Sequence, residues 1–138
     1  MDISVTHSPK NEEIACIYDG LSEFNHKNIP QIEDNSFAIF VRDKTGNIVG
    51  GLTGAIYLTS VQIKYLWLSE TLRNKGVGGE LMHRVEQECR TRNIKNIAVN
   101  TYSFQAPLFY QSQGFKEIGR YEDYLDKGID KIFYLKHL

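Results

Sequence analysis

The sequence predicts an α/β layered domain with a mixed sheet: a central, mostly antiparallel sheet, one parallel strand-helix-strand unit and flanking helices. Three observations carry this. Apolar residues recur at three- and four-residue steps in two segments, about 10–27 and 78–92, which is the period of an amphipathic helix. Between them, residues 37–68 hold three β-rich runs joined by short turns. The second helical segment separates the third run from another strand, so those two strands are expected to lie parallel.

Each element has its own reason. Ile14, Ile17, Tyr18, Leu21 and Phe24 form one apolar face over residues 10–27, with Gly20 the weak point. Asn25, Asn28, Pro30 and the acidic run Glu33-Asp34-Asn35 mark a loop with room for a short second helix. Phe37–Val41 reads as a strand, Asp43–Asn47 as a turn and Ile48–Leu58 as the returning strand. The glycines of that strand suggest bulges or a close backbone approach. In Val61–Leu68, Ile63, Tyr65 and Trp67 alternate with Gln62, Lys64 and Leu66. A glycine-rich turn, Arg73–Gly79, leads into a helix with Leu81, Met82, Val85 and Cys89 on one face. Lys95–Thr101 is a strand. Ser103 is placed to cap a short helix ending near Gln113, with Pro107 in its first turn and Gly114 as its stop. Phe115–Gly119 and Ile132–Leu135 complete the sheet. No linker, repeat or low-complexity run divides the chain, so one domain is expected over 1–138.

Composition narrows the function classes. The 138 residues are 41% apolar and 24% charged with net charge -1, as in a soluble globular protein. The mixed charges argue against a nucleic-acid binder, which carries a basic patch or stripe. No stretch reaches the roughly 20 apolar residues of a membrane span, and the N-terminus lacks a secretory pattern. A cytoplasmic protein, off the membrane, is the expectation. Cys16 and Cys89 belong to no metal-binding or disulfide pattern. His26 and His83 have no partner spacing for a metal or a nucleophilic triad, so no metal is expected.

The chemistry concentrates at the glycine-rich turn. The first turn of a helix has backbone N–H groups without internal partners, and the helix dipole adds positive charge there. Glycines admit a phosphate close to the backbone, and Arg73 and Lys75 add cations. The P-loop string is absent. Gly76-Val77-Gly78 begins a dinucleotide fingerprint, but Leu81 stands at its third glycine position. A tight turn with no ligand is the bland alternative.

Here the sequence resembles the GNAT superfamily of acyl-CoA N-acyltransferases. Arg73-Asn74-Lys75-Gly76-Val77-Gly78 matches its coenzyme A signature. Ala106-Pro107-Leu108-Phe109-Tyr110-Gln111-Ser112-Gln113-Gly114-Phe115 resembles its second segment at a fitting interval. The resemblance implies acetyl-CoA as co-substrate and a primary amine as acceptor, acetylated by direct attack in a ternary complex. It implies that the amides of Asn74 to Gly79, Val77 included, cradle the pyrophosphate. The pantetheine arm would lie between splayed strands near Trp67 and Leu68, with the Leu68 N–H as oxyanion donor. Tyr110 would be the general acid, Phe109 beside it packing while Tyr110 faces the cleft. Ser103 stands where the family often has an asparagine that holds the coenzyme.

Glu70 is a candidate base, with Tyr65 and a water chain as alternatives. The acceptor is expected to meet the loop Leu21–Asn35 and the aromatic and acidic segment Tyr121–Asp126, a small-molecule amine being favoured over a protein amine. A homodimer is an expected assembly. The competing readings are a non-catalytic CoA or acyl-CoA sensor on the same fold and a nucleotide binder.

Overall fold

A computed structural model describes residues 1–29 and 35–138. Where the sequence predicts one domain, contacts divide the chain into two compact units, Met1–Glu33 and Asp34–Leu138. The first unit is built on helix α1, Asn11–His26, which runs through Gly20 without a break. The Glu13 carboxylate accepts the Lys10 N–H at 2.9 Å and closes its first turn. None of the helix's residues is buried, and Ile14, Ile17, Tyr18, Leu21 and Phe24 are all exposed. The expected short second helix falls largely on residues 30–34, outside the described residues.

The second unit is a six-stranded sheet with two helices. Its elements are β1 (Asn35–Arg42), β2 (Ile48–Tyr57), β3 (Ser60–Leu68), α2 (Val77–Thr91), β4 (Asn96–Tyr102), α3 (Pro107–Ser112), β5 (Lys116–Tyr121) and β6 (Lys131–His137). Strand order is β1-β2-β3-β4-β6-β5, with every pair antiparallel except β3 and β4. The mixed sheet with its single parallel step is therefore as the sequence predicts. The β1–β2 turn forms because Asp43 Oδ1 accepts the N–H groups of Thr45 and Asn47 at 2.9 and 3.0 Å. The Thr45 hydroxyl, which donates to the same oxygen at 2.7 Å, does most to hold the Asp43 carboxyl below its ordinary range, and the two N–H groups add to it.

Two irregularities in the strands position the site. The β2–β3 register slips between Thr53 and Gly54, so Thr53 opposes Tyr65 while Gly54 opposes Ile63. Lys64 is the extra residue, and one added residue reverses which face the following side chains occupy. Val61 and Ile63 are buried before the bulge; after it Leu66 and Leu68 face the core, while Tyr65 and Trp67 are exposed. The simple alternation read from sequence therefore breaks at Lys64. The second irregularity is that β3 and β4 pair only from Ser60↔Asn96 to Gln62↔Ala98, and beyond that they diverge. β4 instead pairs along its whole length with β6.

The core lies between the sheet and α2. Leu81, Met82, Val85 and Cys89 of α2 pack on Leu52, Val61, Ile63, Ile97 and Val99. Burial, reinforced by Glu86 and Glu88, raises the Cys89 thiol to about 11. His83 lies on the exposed side of α2.

Candidate functional site

Divergence of β3 from β4 opens a groove of about 980 Å³. It is walled by β3 from Ile63 to Leu68, by β4 from Val99 to Thr101, by the turn into α2, and by Phe104, Gln105, Ala106, Phe109 and Tyr110. The backbone parity of β3 decides which groups look into it. Ser69 N–H donates to Val49 O at 2.9 Å, which makes Leu68↔Gly50 a pair without mutual hydrogen bonds. Leu68 therefore turns its N–H and C=O away from β2, toward the gap, and by the same parity so does Leu66. Trp67 lies in the intervening hydrogen-bonded pair with Gly51, so its backbone is used within the sheet. The sequence reading has Trp67 and Leu68 offering backbone to a pantetheine arm; in the structure the backbone groups that face the gap are those of Leu66 and Leu68. Trp67 is nonetheless one of the residues that line the groove.

A 3-10 turn, Glu70–Leu72, follows β3 and carries the chain to the start of α2. Asn74 (φ 59°) and Gly76 (φ 79°, ψ 5°) both adopt the left-handed region and turn the chain abruptly. Gly76 caps α2 with no side-chain hydrogen bond, which leaves the N–H groups of the first turn open. The glycines serve different ends. A Cβ on Gly76 would meet no atom within 4 Å, so its backbone angle is what calls for glycine. A Cβ on Gly78 would lie 3.1 Å from the Phe109 ring, so the absence of a side chain there seats α3 on α2.

Electrostatics favour an anion. Lys64 and Arg73 line the groove, and no carboxylate does among the described residues. Arg73 is partly committed, its Nε donating to Leu68 O at 3.2 Å, which ties the turn to the end of β3. Lys75 is exposed and outside the lining, while Asn74, Val77 and Gly79 belong to it.

Tyr110 sits on α3, which starts at Pro107 with Ala106 as its cap. The division of labour expected for Phe109 and Tyr110 is modified, because both line the groove and Tyr110 is the more buried, 5% exposed. Its ring packs on Phe109, Phe115 and Tyr134. Both aromatics of this six-residue helix pack on the core. Burial alone raises the phenol to about 12, with no hydrogen bond contributing.

Two other expectations are placed elsewhere. Glu70 is exposed on the 3-10 turn and does not line the groove, whereas Tyr65 does. Ser103 neither lines the groove nor caps α3. Its N–H donates to Asp130 O at 2.9 Å and its Oγ accepts the Asp130 N–H at 3.0 Å. It lies three residues before the helix cap, within reach of the first residues of β6, and that backbone claims it. The start of α3 is held instead by Thr101 and Gln105. Gln105 Oε1 accepts the Tyr102 N–H at 2.8 Å, and Thr101 Oγ1 accepts the Ala106 N–H at 3.3 Å.

Tyr121–Asp126, the last residue of β5 and the turn after it, is exposed and outside the groove lining. Tyr121 packs on Tyr124 and Phe133, and Asp123 Oδ1 accepts the Gly128 N–H at 2.6 Å. Residues 30–34 of the other expected acceptor loop lie outside the described residues. Sequence reading missed Leu66, Lys64, Asn100, Thr101, Phe104 and Gln105 as groove residues. The parity of β3 was the available signal for Leu66, but the bulge hides it. A second cavity, of about 660 Å³, lies between β1 and α2 and contains none of the expected site residues.

Comparison with known proteins agrees with this geometry. The GNAT acetyltransferase domain family matches residues 6–137. Blasticidin-S acetyltransferase of Streptomyces morookaense is 30% identical over 89 residues, 64% of this chain and 65% of that protein, so the match spans just under two thirds of the relative. Acetyltransferase Atu2258 of Agrobacterium fabrum is 25% identical over 108 residues, 78% of this chain and 79% of that one. The crystal structure of an acetyltransferase from Bacillus cereus superposes with a TM-score of 0.85 at 29% identity, covering 98% of each chain. A split between parallel strands beside an open helix terminus, found where the family's two motifs fall, places this chain in the GNAT acetyltransferase family.

Proposed function

We propose that the protein transfers the acetyl group of acetyl-CoA to a primary amine by direct attack within a ternary complex. The observation that carries this is the groove itself. An open helix N-terminus and two cations meet a strand edge whose backbone groups no neighbouring strand pairs, and a buried phenol stands at the side. The open amides of α2 with Arg73 suit the pyrophosphate, and the amide-bearing pantetheine arm can pair with Leu66 and Leu68. The Leu68 N–H is the candidate donor to the thioester oxygen as negative charge develops on it.

The amine nitrogen attacks the thioester carbon and forms the C–N bond. The C–S bond then breaks, and the electron pair leaves on sulfur. Tyr110 donates to that sulfur. Its phenol, near 12, is a weaker acid than a thiol near 8.5. Full proton transfer from it is therefore favourable only when coupled to loss of the amine proton. With no carboxylate in the described groove lining, that proton leaves through water or Tyr65. Neither cysteine is in the lining, which suits direct attack over a covalent enzyme intermediate.

We take the acceptor to be a small molecule, in keeping with the relative named for blasticidin S, and the enzyme to work in the cytoplasm. The test is calorimetric titration with acetyl-CoA, using ATP as control, followed by thiol-release assays across an amine panel that includes blasticidin S. Saturable binding of acetyl-CoA but not ATP, with amine-dependent thiol release, is the expected result. Absence of acetyl-CoA binding refutes the reading, and binding without thiol release for any amine favours a sensor.

A further inference from the structure

The face of the sheet turned away from α2 carries an aromatic row that the transfer chemistry does not use. Cross-strand partners share a face, and Phe40, Gly51 and Trp67 are successive partners across β1, β2 and β3. Phe40 is 52% exposed and Trp67 54%. Between them stands a residue with no side chain. Gly51 has φ 152°, and a Cβ there would lie 2.3 Å from Ile39 O, so no other residue fits this backbone. The result is a slot with an aromatic wall on each side and a bare backbone floor. In the next row, Tyr65 stands opposite Thr53 and is 75% exposed.

The slot has room for one ring, and what favours an aromatic ring there is the pairing energy of its two walls. Two strand spacings put its walls about 9.6 Å apart. A ring inserted midway would have its centre about 4.8 Å from each wall, inside the favourable range for aromatic pairs. The slot also opens on the groove, since Trp67 and Tyr65 line both. Its far end is marked by charge: the Arg42 guanidinium sits 5.3 Å over the Phe40 ring. A cationic end is repelled there and favoured at the groove end, where the ring faces of Trp67 and Tyr65 attract cations.

We propose that Phe40, Gly51 and Trp67 form the acceptor site, and that the acceptor is an amine carrying a planar ring held between the Phe40 and Trp67 walls. The amine then reaches past Trp67 toward the thioester gap. The amine half of this claim rests on the transferase reading; the planar half rests on the slot alone.

Trp67 is the single tryptophan, so its fluorescence reports on the slot directly. The probes are benzylamine and cyclohexylmethylamine, which put a flat and a puckered ring on the same aminomethyl group. Benzylamine is expected to change Trp67 emission saturably and to bind about tenfold more tightly than its puckered counterpart. In Phe40→Leu the preference should fall to within about twofold, while acetyl-CoA titrates as in wild type, because Phe40 is not in the groove lining. Equal affinity for the two amines overturns the proposal, and that comparison needs no variant. An undiminished preference in folded Phe40→Leu also overturns it. Self-association that Phe40→Leu abolishes would assign the face to a second copy of the chain, with the same consequence. Failure of acetyl-CoA to bind would remove the transferase reading, yet the ratio of the two amine affinities would still decide the slot.

Discussion

Removing the hydroxyl of Tyr110 separates its chemical role from its packing role. Tyr110→Phe keeps the ring that packs on Phe109, Phe115 and Tyr134. The hydroxyl makes no hydrogen bond to a described residue that contributes to its pKa, and burial is the only cause of the shift. Its loss should therefore leave stability unchanged or raise it by up to about 1 kcal/mol. Acetyl-CoA affinity should stay within about twofold, while turnover falls by about 100-fold or more, as when a general acid is lost.

The variant also has a pH signature. The folded phenol titrates near 12 against 10 when exposed, so between those values the unfolded state ionises first. Stability from this group is complete below pH 10 and is lost as pH rises toward 12. Two units correspond to about 2.7 kcal/mol. Urea unfolding of wild type and variant at pH 9, 10 and 11 should show their difference shifting in favour of the variant by about 1 kcal/mol per unit above pH 10. Cys89 titrates in a nearby range, but it is common to both proteins and cancels. Unchanged turnover would dismiss Tyr110 as the acid, and parallel pH curves would show that the phenol is not buried in solution.

Four further outcomes are expected. Gly78→Val drives its side chain into Phe109 and should cost about 1–3 kcal/mol. Chemical denaturation should show part of that restored by adding Phe109→Leu, a coupling that independent sites would lack. Ser103→Ala removes the acceptor for the Asp130 N–H and should lower stability by about 1 kcal/mol, with acetyl-CoA affinity unchanged by calorimetry. Lys136→Met removes one of the two cationic partners of mostly buried Glu86, leaving Arg90 at 3.6 Å, and leaves Gln113 O, which Lys136 meets at 2.7 Å, without that donor; a loss of about 1–3 kcal/mol should appear in urea unfolding. In native protein one thiol, exposed Cys16, should react with a disulfide reagent, and Cys89 should react only on unfolding.

Much of the site is local and so can be read along the chain. The open terminus of α2 follows from Asn74 and Gly76, whose residue types permit the left-handed backbone the turn requires. The helices followed from periodicity, and the parallel β3–β4 step from the helix between them. Ser103 misled because a serine ahead of a proline-started helix looks like a cap. Its actual partner, Asp130, is 27 residues away. Glu70 is near β3 in sequence, yet it lies on the 3-10 turn and outside the groove lining.

By itself the sequence determined the order of elements, the phosphate-ready turn and the two motifs that mark the family, because each rests on dihedral preference or periodicity within a few residues. Tertiary structure alone decided which β3 amides face the gap, since parity counts from the Gly50↔Leu68 pairing and not from residue type. It also decided that Tyr110 is buried, and that Phe40 and Trp67 stand on either side of Gly51. A bulge at Lys64 reverses the faces of everything after it, and only the partner strand reveals where that extra residue lies.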